Sequence, residues 1–279
     1  MKRVIITADD FGMAVAVNEA VEIACRVGVL TTASLMVGAA AADDAVERAR
    51  RLPCLRVGLH VVLVDGQPLL PSELLPALVG TDGRFLRNLT AAGFRYFFLP
   101  GARRQLEAEL RAQFTAFAAT GLALDHVNAH NHFHLHPTVL GLILKVGREF
   151  GLRAIRLPRE PWLSGLGEWA LSPWTALLRG RLRRAGIRCN DFVLGLTNTG
   201  AMTEAVVLEL LERLERAGGL DNDRVAEFYF HPATSRCPEL IANMPGYDHE
   251  GELQALTSAR VRLAFASRGI ALIAFGDLP

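Results

Sequence analysis

The order of the chain's apolar runs constrains its fold more than any other feature. Residues 3–8 form a short β-branched run ending in acidic residues, and residues 31–37 and 55–60 form two more runs. Between them, residues 15–27 and 39–51 carry helical periodicity, which Gly28 and Pro53 terminate. Strand–helix–strand order with such short connections points to a parallel sheet. The alternation resumes later in the chain. Helices are expected at 103–120, 138–150, 203–217 (with Thr203 as N-cap) and 250–267. Strands are expected at 123–128, 154–157, 193–196, 225–230 and 270–275. Seven or eight such units in 279 residues fit an α/β fold made of a single (β/α) barrel, one domain over 1–279. Two stretches break the rhythm, 61–101 and 161–188, and both read as irregular insertions on the active-site face.

Composition sets limits on function. Apolar residues make up 51% of the chain, enough for a large core, and a net charge of +1 excludes a general nucleic-acid binder. Cys25, Cys54, Cys189 and Cys237 are widely spaced and form no CxxC pair, which fits a reducing compartment. No run approaches the roughly 20 apolar residues of a transmembrane helix, and the N-terminal apolar run is too short for a signal peptide. A cytoplasmic location is therefore expected.

In a β/α barrel the carboxyl ends of the strands converge on one face, where active sites sit. This chain's polar groups fall at those ends. Asp9 and Asp10 follow the first strand, His60 ends the third, and His231 follows the run at 225–230. Between residues 125 and 137 lie five of the eight histidines: His126, His130, His132, His134 and His136. Each group alone has a plain structural reading, Asp as a helix N-cap or His as a satisfied core residue. Together they suggest a divalent-metal site, because one carboxylate and two imidazoles leave open positions for water and substrate. The five clustered histidines cannot all bind one ion, since alternate strand residues lie roughly 6.6 Å apart. Successive strand residues point to opposite sides, so Asp9 and Asp10 are expected to do different jobs, one binding metal and one acting as base. That divergence argues against a glycosidase, whose two carboxyls face each other across a sugar bond.

Thr7-Ala-Asp-Asp-Phe-Gly12, Gly58-Leu-His60, His126-x3-His-x-His-x-His134 and His231-Pro-Ala233 occur in that order, followed by Tyr247 and Leu256-Thr-Ser258. In this the chain resembles the YdjC-like carbohydrate deacetylases, which include the chitooligosaccharide deacetylases. The resemblance implies a deacetylase-type barrel, one divalent metal usually described as magnesium, and hydrolysis of an N-acetyl group on an amino sugar. It implies Asp10, His60 and His130 as ligands, Asp9 as general base and His231 as acid for the leaving amine. His132, His134, Arg156 and Tyr247 become candidates for substrate contact or for hydrogen bonds behind the ligands. His126 falls within its strand, and His136 in the turn before Pro137. Many members read Asp-Ser-His-His-His where this chain has Asn128-Ala129-His130-Asn131-His132, so a carboxylate behind the ligands is lost. The ligand set suits zinc at least as well as magnesium, which prefers oxygen donors.

Trp162, Trp169 and Trp174 precede Arg179, Arg181, Arg183, Arg184 and Arg188 in the second insertion. Such a cluster suits a membrane–water interface at the inner face of the membrane or an amphiphilic ligand; the alternative is an ordinary amphipathic helix packed on the barrel. The arrangement resembles the branch associated with hopanoid biosynthesis, which implies an N-acetylglucosaminyl group on a hopanoid lipid as substrate. The expected partner is thus an acetylated amino sugar, lipid-linked in that branch, with a homodimer left open. Two rivals remain. One is a barrel metallohydrolase of the amidohydrolase or phosphoesterase kind, which usually places His-x-His on strand one. The other is a non-catalytic sugar- or lipid-binding barrel.

Overall fold

The structure, a computed structural model, describes residues 2–160, 166–221 and 223–279, with backbone alone over 166–172. Trp162 and the side chain of Trp169 lie outside the described set. Among these residues seven strands form one parallel sheet: β1 (Lys2–Phe11), β2 (Thr32–Leu35), β3 (Arg56–Val61), β4 (Leu124–Ala129), β5 (Phe192–Leu194), β6 (Val225–Phe230) and β7 (Ile270–Ile273). Their order is β4-β3-β2-β1-β6-β5, with β7 paired to the first residues of β1. The sheet curls into a half-barrel consistent with a deacetylase-like (β/α) barrel. β1 is its axis: it pairs with β2, β6 and β7, and every residue from Val4 to Phe11 is buried, as expected of a parallel strand covered on both faces.

Among the described residues ten helices cover the sheet: α1 (Val15–Val27), α2 (Ala42–Arg50), α3 (Leu89–Phe98), α4 (Pro100–Ala119), α5 (Pro137–Glu149), α6 (Leu166–Arg184), α7 (Glu204–Arg216), α8 (Pro238–Asn243), α9 (His249–Thr257) and α10 (Ala259–Ser267). Val4, Ile6, Ala8, Leu35, Val57, Leu59, Val127, Ala226 and Phe228 join the main apolar core beneath them. The alternate residues face the lumen. At its closed end Ile5, Ala154, Val225, Phe275 and Leu278 form a small separate core. Above it the lumen is polar, holding Thr7, Arg156 and Glu227, then the carboxyl-end residues.

Several sequence expectations need correction. The strand expected at 154–157 is reduced to two isolated bridges, Val127 to Ile155 and Ala154 to Arg188. The reason is Asn190, whose side-chain amide accepts from Leu157 N and donates to the carbonyls of Leu157 and Phe192, occupying the groups that a ladder would use. The last strand stops at Ile273, two residues short of expectation. The single helix expected at 250–267 is two, because the Ser258 hydroxyl caps a fresh start by accepting from Arg260 N and Val261 N. The first irregular stretch contains a 3-10 turn at Ser72–Leu74 and helix α3, which Asn88 caps. Buried Glu109 and Gln113 of α4 hold this stretch down by bonding the backbone of Leu69, Leu70 and Val62.

The second stretch is helical from Leu166 to Arg184; Pro173 within it disguises the pattern. Three of its five cations are turned to internal work, while Arg183 and Arg184 are exposed. Arg179 pairs with Asp191 at 2.6 Å, Arg181 donates to the Pro137 carbonyl and Arg188 to that of Leu278. Trp174 donates to the Leu135 carbonyl. No helix among the described residues is long and apolar enough to cross a membrane.

One close approach locks β3 to β4. The buried His126 ring donates from Nδ1 to Asp125, accepts from the Ser34 hydroxyl at 3.0 Å and stacks on Phe275 at 4.2 Å. It lies over Gly58, where a Cβ would come within 2.4 Å of His126 Cε1. Gly58→Ala is therefore expected to cost about 2 kcal/mol or more through overpacking. Denaturant unfolding would show it as a lower midpoint, and adding His126→Ala would recover part of the loss.

Candidate active site

The site begins with a bulge in β1. Ala8 pairs with Ala33 and Phe11 with Leu35, so Asp9 and Asp10 together oppose the single residue Ser34. Asp10 takes φ 60°, which breaks the strict alternation of the strand. The expectation that the two carboxylates diverge is thus corrected: both reach one cleft, which His60, His130, His132 and His231 also line. They differ in partners instead.

Asp10 faces the two imidazoles. Its Oδ1 lies 3.3 Å from His60 Nε2 and 3.2 Å from His130 Nδ1, and one donor atom from each of the three residues lies within 4.8 Å of the others. Among the described residues this is the one group of three such donors so disposed. Burial would raise the Asp10 carboxyl, but His130 and His60 hold it well below the usual range. Burial would lower His130, but Asp10 raises it. Asp10 Oδ2 and His60 Nε2 are buried without a hydrogen-bond partner. His60 donates from Nδ1 to Asn128 Oδ1 at 2.8 Å, which leaves the Nε2 lone pair aimed at the trio. Unpartnered oxygen and nitrogen donors converging on one point fit a divalent cation.

Asp9 is held differently. Arg156 donates to both its oxygens, at 2.5 and 3.0 Å, and Asn128 Nδ2 donates to Oδ1 at 2.9 Å. Burial would raise the Asp9 carboxyl, but Arg156, with His60 and His231, holds it well below the carboxylate range. Asn128 therefore bridges a ligand imidazole and Asp9, a task that needs both an acceptor and a donor. A carboxylate at 128 would face Asp9 without the donor. Arg156 is completed by Glu227, which accepts from Nε and Nη2 and from the Thr7 hydroxyl.

The remaining histidines separate. His132 sits at φ 51° with its ring 5.4 Å from that of Tyr229, and it lines the cleft. His134 points away and donates from Nε2 to the Arg156 carbonyl at 2.9 Å. His136 donates to the Gly93 carbonyl, tying α3 to the turn that carries His130. His231 packs between Tyr229 and Tyr247, at 5.4 and 5.2 Å between rings. Its backbone N–H donates to Glu252, and His249 donates to its carbonyl. Burial lowers the His231 imidazole, while Asp10 and Asp9 act against that.

Sequence reading missed Glu227 and Tyr229. The signal was present: in Val225-Ala-Glu-Phe-Tyr-Phe-His231 the alternate residues 227, 229 and 231 carry polar groups, all on the lumen side. Thr199 was missed as well; its hydroxyl bonds that of Tyr229, and no strand pattern marks it.

The sequence profile described as YdjC-like protein matches residues 3–267. The chain belongs to the YdjC-like family. Two relatives match almost end to end. A carbohydrate deacetylase of Homo sapiens is 30% identical over 99% of this chain and 91% of that protein. A carbohydrate deacetylase of Geobacillus stearothermophilus is 30% identical over 98% and 96%. Among solved structures, an Enterococcus faecalis V583 protein provisionally titled for cellobiose-phosphate cleavage superposes with a TM-score of 0.80. It is 26% identical and the match covers 99% of this chain and 98% of that one.

The placement of His134 has a pH consequence. Burial pushes its imidazole from 6.5 down to about 3, so the folded state needs it neutral. Its contribution is fully present above 6.5 and is lost as pH falls toward 3. In His134→Gln, which keeps a donor for the Arg156 carbonyl but does not titrate, unfolding free energy is expected to fall less steeply between those values. Denaturant midpoints measured across that pH range would show the two curves converging.

Proposed function

We propose that this YdjC-like chain is a metal-dependent carbohydrate deacetylase that hydrolyses the N-acetyl group of an amino sugar. The observation that carries the reading is the Asp10–His60–His130 trio, with unpartnered donors, set beside Asp9 and His231 in one cleft. The full-length relatives named carbohydrate deacetylase support the same class. Asp10, His60 and His130 would hold one divalent ion, magnesium or zinc. Such an ion supplies Lewis-acid polarisation of an amide carbonyl.

The chain's own groups divide the proton work. Asp9 accepts a proton from the attacking water; Arg156 and Asn128 fix its carboxylate and keep it ionised. His231 delivers a proton to the departing nitrogen; burial lowers its imidazole, with Asp10 and Asp9 opposing that. His132 and Tyr247 contact the sugar from the cleft wall, whereas Arg156 and His134 act from behind it. We read 61–101 and 161–188 as the two insertions of a single-domain barrel; the first reaches the cleft through Asp65 and Leu89.

The narrower substrate, an N-acetylglucosaminyl hopanoid lipid, rests on the resemblance of the second insertion to that branch. Comparing a lipid-linked with a soluble N-acetyl sugar tests it. The amidohydrolase alternative finds less support, because strand one delivers two aspartates and the described residues offer one metal group.

Acetate release from N-acetylglucosamine oligomers is expected to need a divalent ion and to stop with chelator. His60→Ala should lose both metal and turnover. Asp9→Asn and His231→Gln should each lower turnover about 10²-fold or more while metal still binds. Near-normal turnover in metal-loaded Asp9→Asn would remove the base assignment, and no release from any acetylated sugar would remove the reaction itself.

A further inference from the structure

Helix α3 turns an aromatic face outward. Ala92 and Tyr96 anchor its inner side, with the Tyr96 hydroxyl donating to the Leu63 carbonyl at 2.8 Å. On the outer side Phe94, Phe97, Phe98 and Leu99 are between 46% and 65% exposed. Phe94 stacks on Phe98 at 6.0 Å, and Phe98 meets Phe97 edge-on at 4.9 Å. Single exposed apolar residues are ordinary, but a contiguous aromatic patch marks an interaction surface.

The surrounding charge indicates what covers it. Residues 83–106 contain five arginines and no aspartate or glutamate; of the arginines, Arg87 pairs with Asp65 and Arg95 donates to the Ala77 carbonyl. Arg103 and Arg104 are exposed at the start of α4 and make no ion pair among the described residues. The patch also reaches the active site, because Leu89, the first residue of α3, lines the cleft of Asp9 and Asp10.

We propose that α3 and the start of α4 form a docking surface for an anionic lipid bilayer. The three phenylalanines enter the interface and the two arginines meet the phosphate headgroups, with the helix lying flat along the membrane. A second copy of this chain fits less well, since a two-fold contact across the patch would set arginines against their own counterparts. It differs from the contact expected from 161–188, where Arg179, Arg181 and Arg188 are engaged internally while Arg183 and Arg184 are exposed. The proposal stands independently of the reaction assigned above.

Sedimentation with vesicles tests it. The protein is expected to pellet with phosphatidylglycerol–phosphatidylcholine vesicles, less with phosphatidylcholine alone, and to be released by salt. Phe94→Ser/Phe98→Ser should weaken partition about tenfold or more to either vesicle. Arg103→Gln/Arg104→Gln should weaken it only on the anionic one. Both variants should keep the wild-type thermal midpoint, since neither touches the core. Three results would overturn the proposal: wild type left in the supernatant at low salt, variants that pellet like wild type, or a wild-type dimer that Phe94→Ser/Phe98→Ser dissolves in sedimentation velocity.

Discussion

A fully buried guanidinium stands in the middle of the barrel, and the site is arranged around it. Arg156 has no exposed surface and binds Asp9 on one side and Glu227 on the other. Burying a charge is tolerated only where partners replace water, and removing one partner of such a pair costs about 3–5 kcal/mol. Burial would weaken the proton's hold on Arg156, but the two carboxylates strengthen it. Asp10 adds a third buried carboxylate, beside imidazoles rather than beside this cation. A divalent ion held by the trio would answer the remaining negative charge, so the electrostatics of the lumen and the donor geometry point the same way.

The polar lumen follows from strand periodicity. Each strand that borders it carries apolar residues outward to the helices and polar residues inward, from Thr7 and Asp9 to Glu227 and Tyr229. The inward residues fall into layers: a dry plug of Ile5, Val225 and Phe275, then the Arg156 network, then the metal trio. Asn128 joins the upper two layers by bonding both His60 and Asp9. The Asp9–Arg156 network and the donor trio therefore share one rigid frame, in which moving one side chain disturbs the next.

Much of this was legible in the sequence. The β/α alternation gave the strands that carry Asp10, His60 and His130, because residues at consecutive strand ends must converge whatever the loops do. The motifs around them gave the family. What failed had local physical causes. The bulge at Asp10 depends on a positive φ that alternation cannot anticipate. The Arg156 strand was lost because a side chain, Asn190, stands in for backbone. Helix α6 was hidden by Pro173, and α3 by a sequence whose phenylalanines face outward rather than follow a core stripe. Glu227 and Tyr229 could have been found by asking which residues share the inward phase of His231.

The wall beside Arg156 has a consequence for how such an enzyme can diversify. Between β4 and β5 the strands are stitched by two bridges, the Asn190 amide and the Val193 N–H donating to the Arg159 carbonyl rather than laddered. A ladder indexes every residue on either side of it; stitches index only the few they touch. The chain between Glu160 and Arg179, which carries none of these stitches, can therefore change length and content without shifting the register of its neighbours. New rims over the cleft can be fitted at this seam while the strands bearing the trio keep their positions.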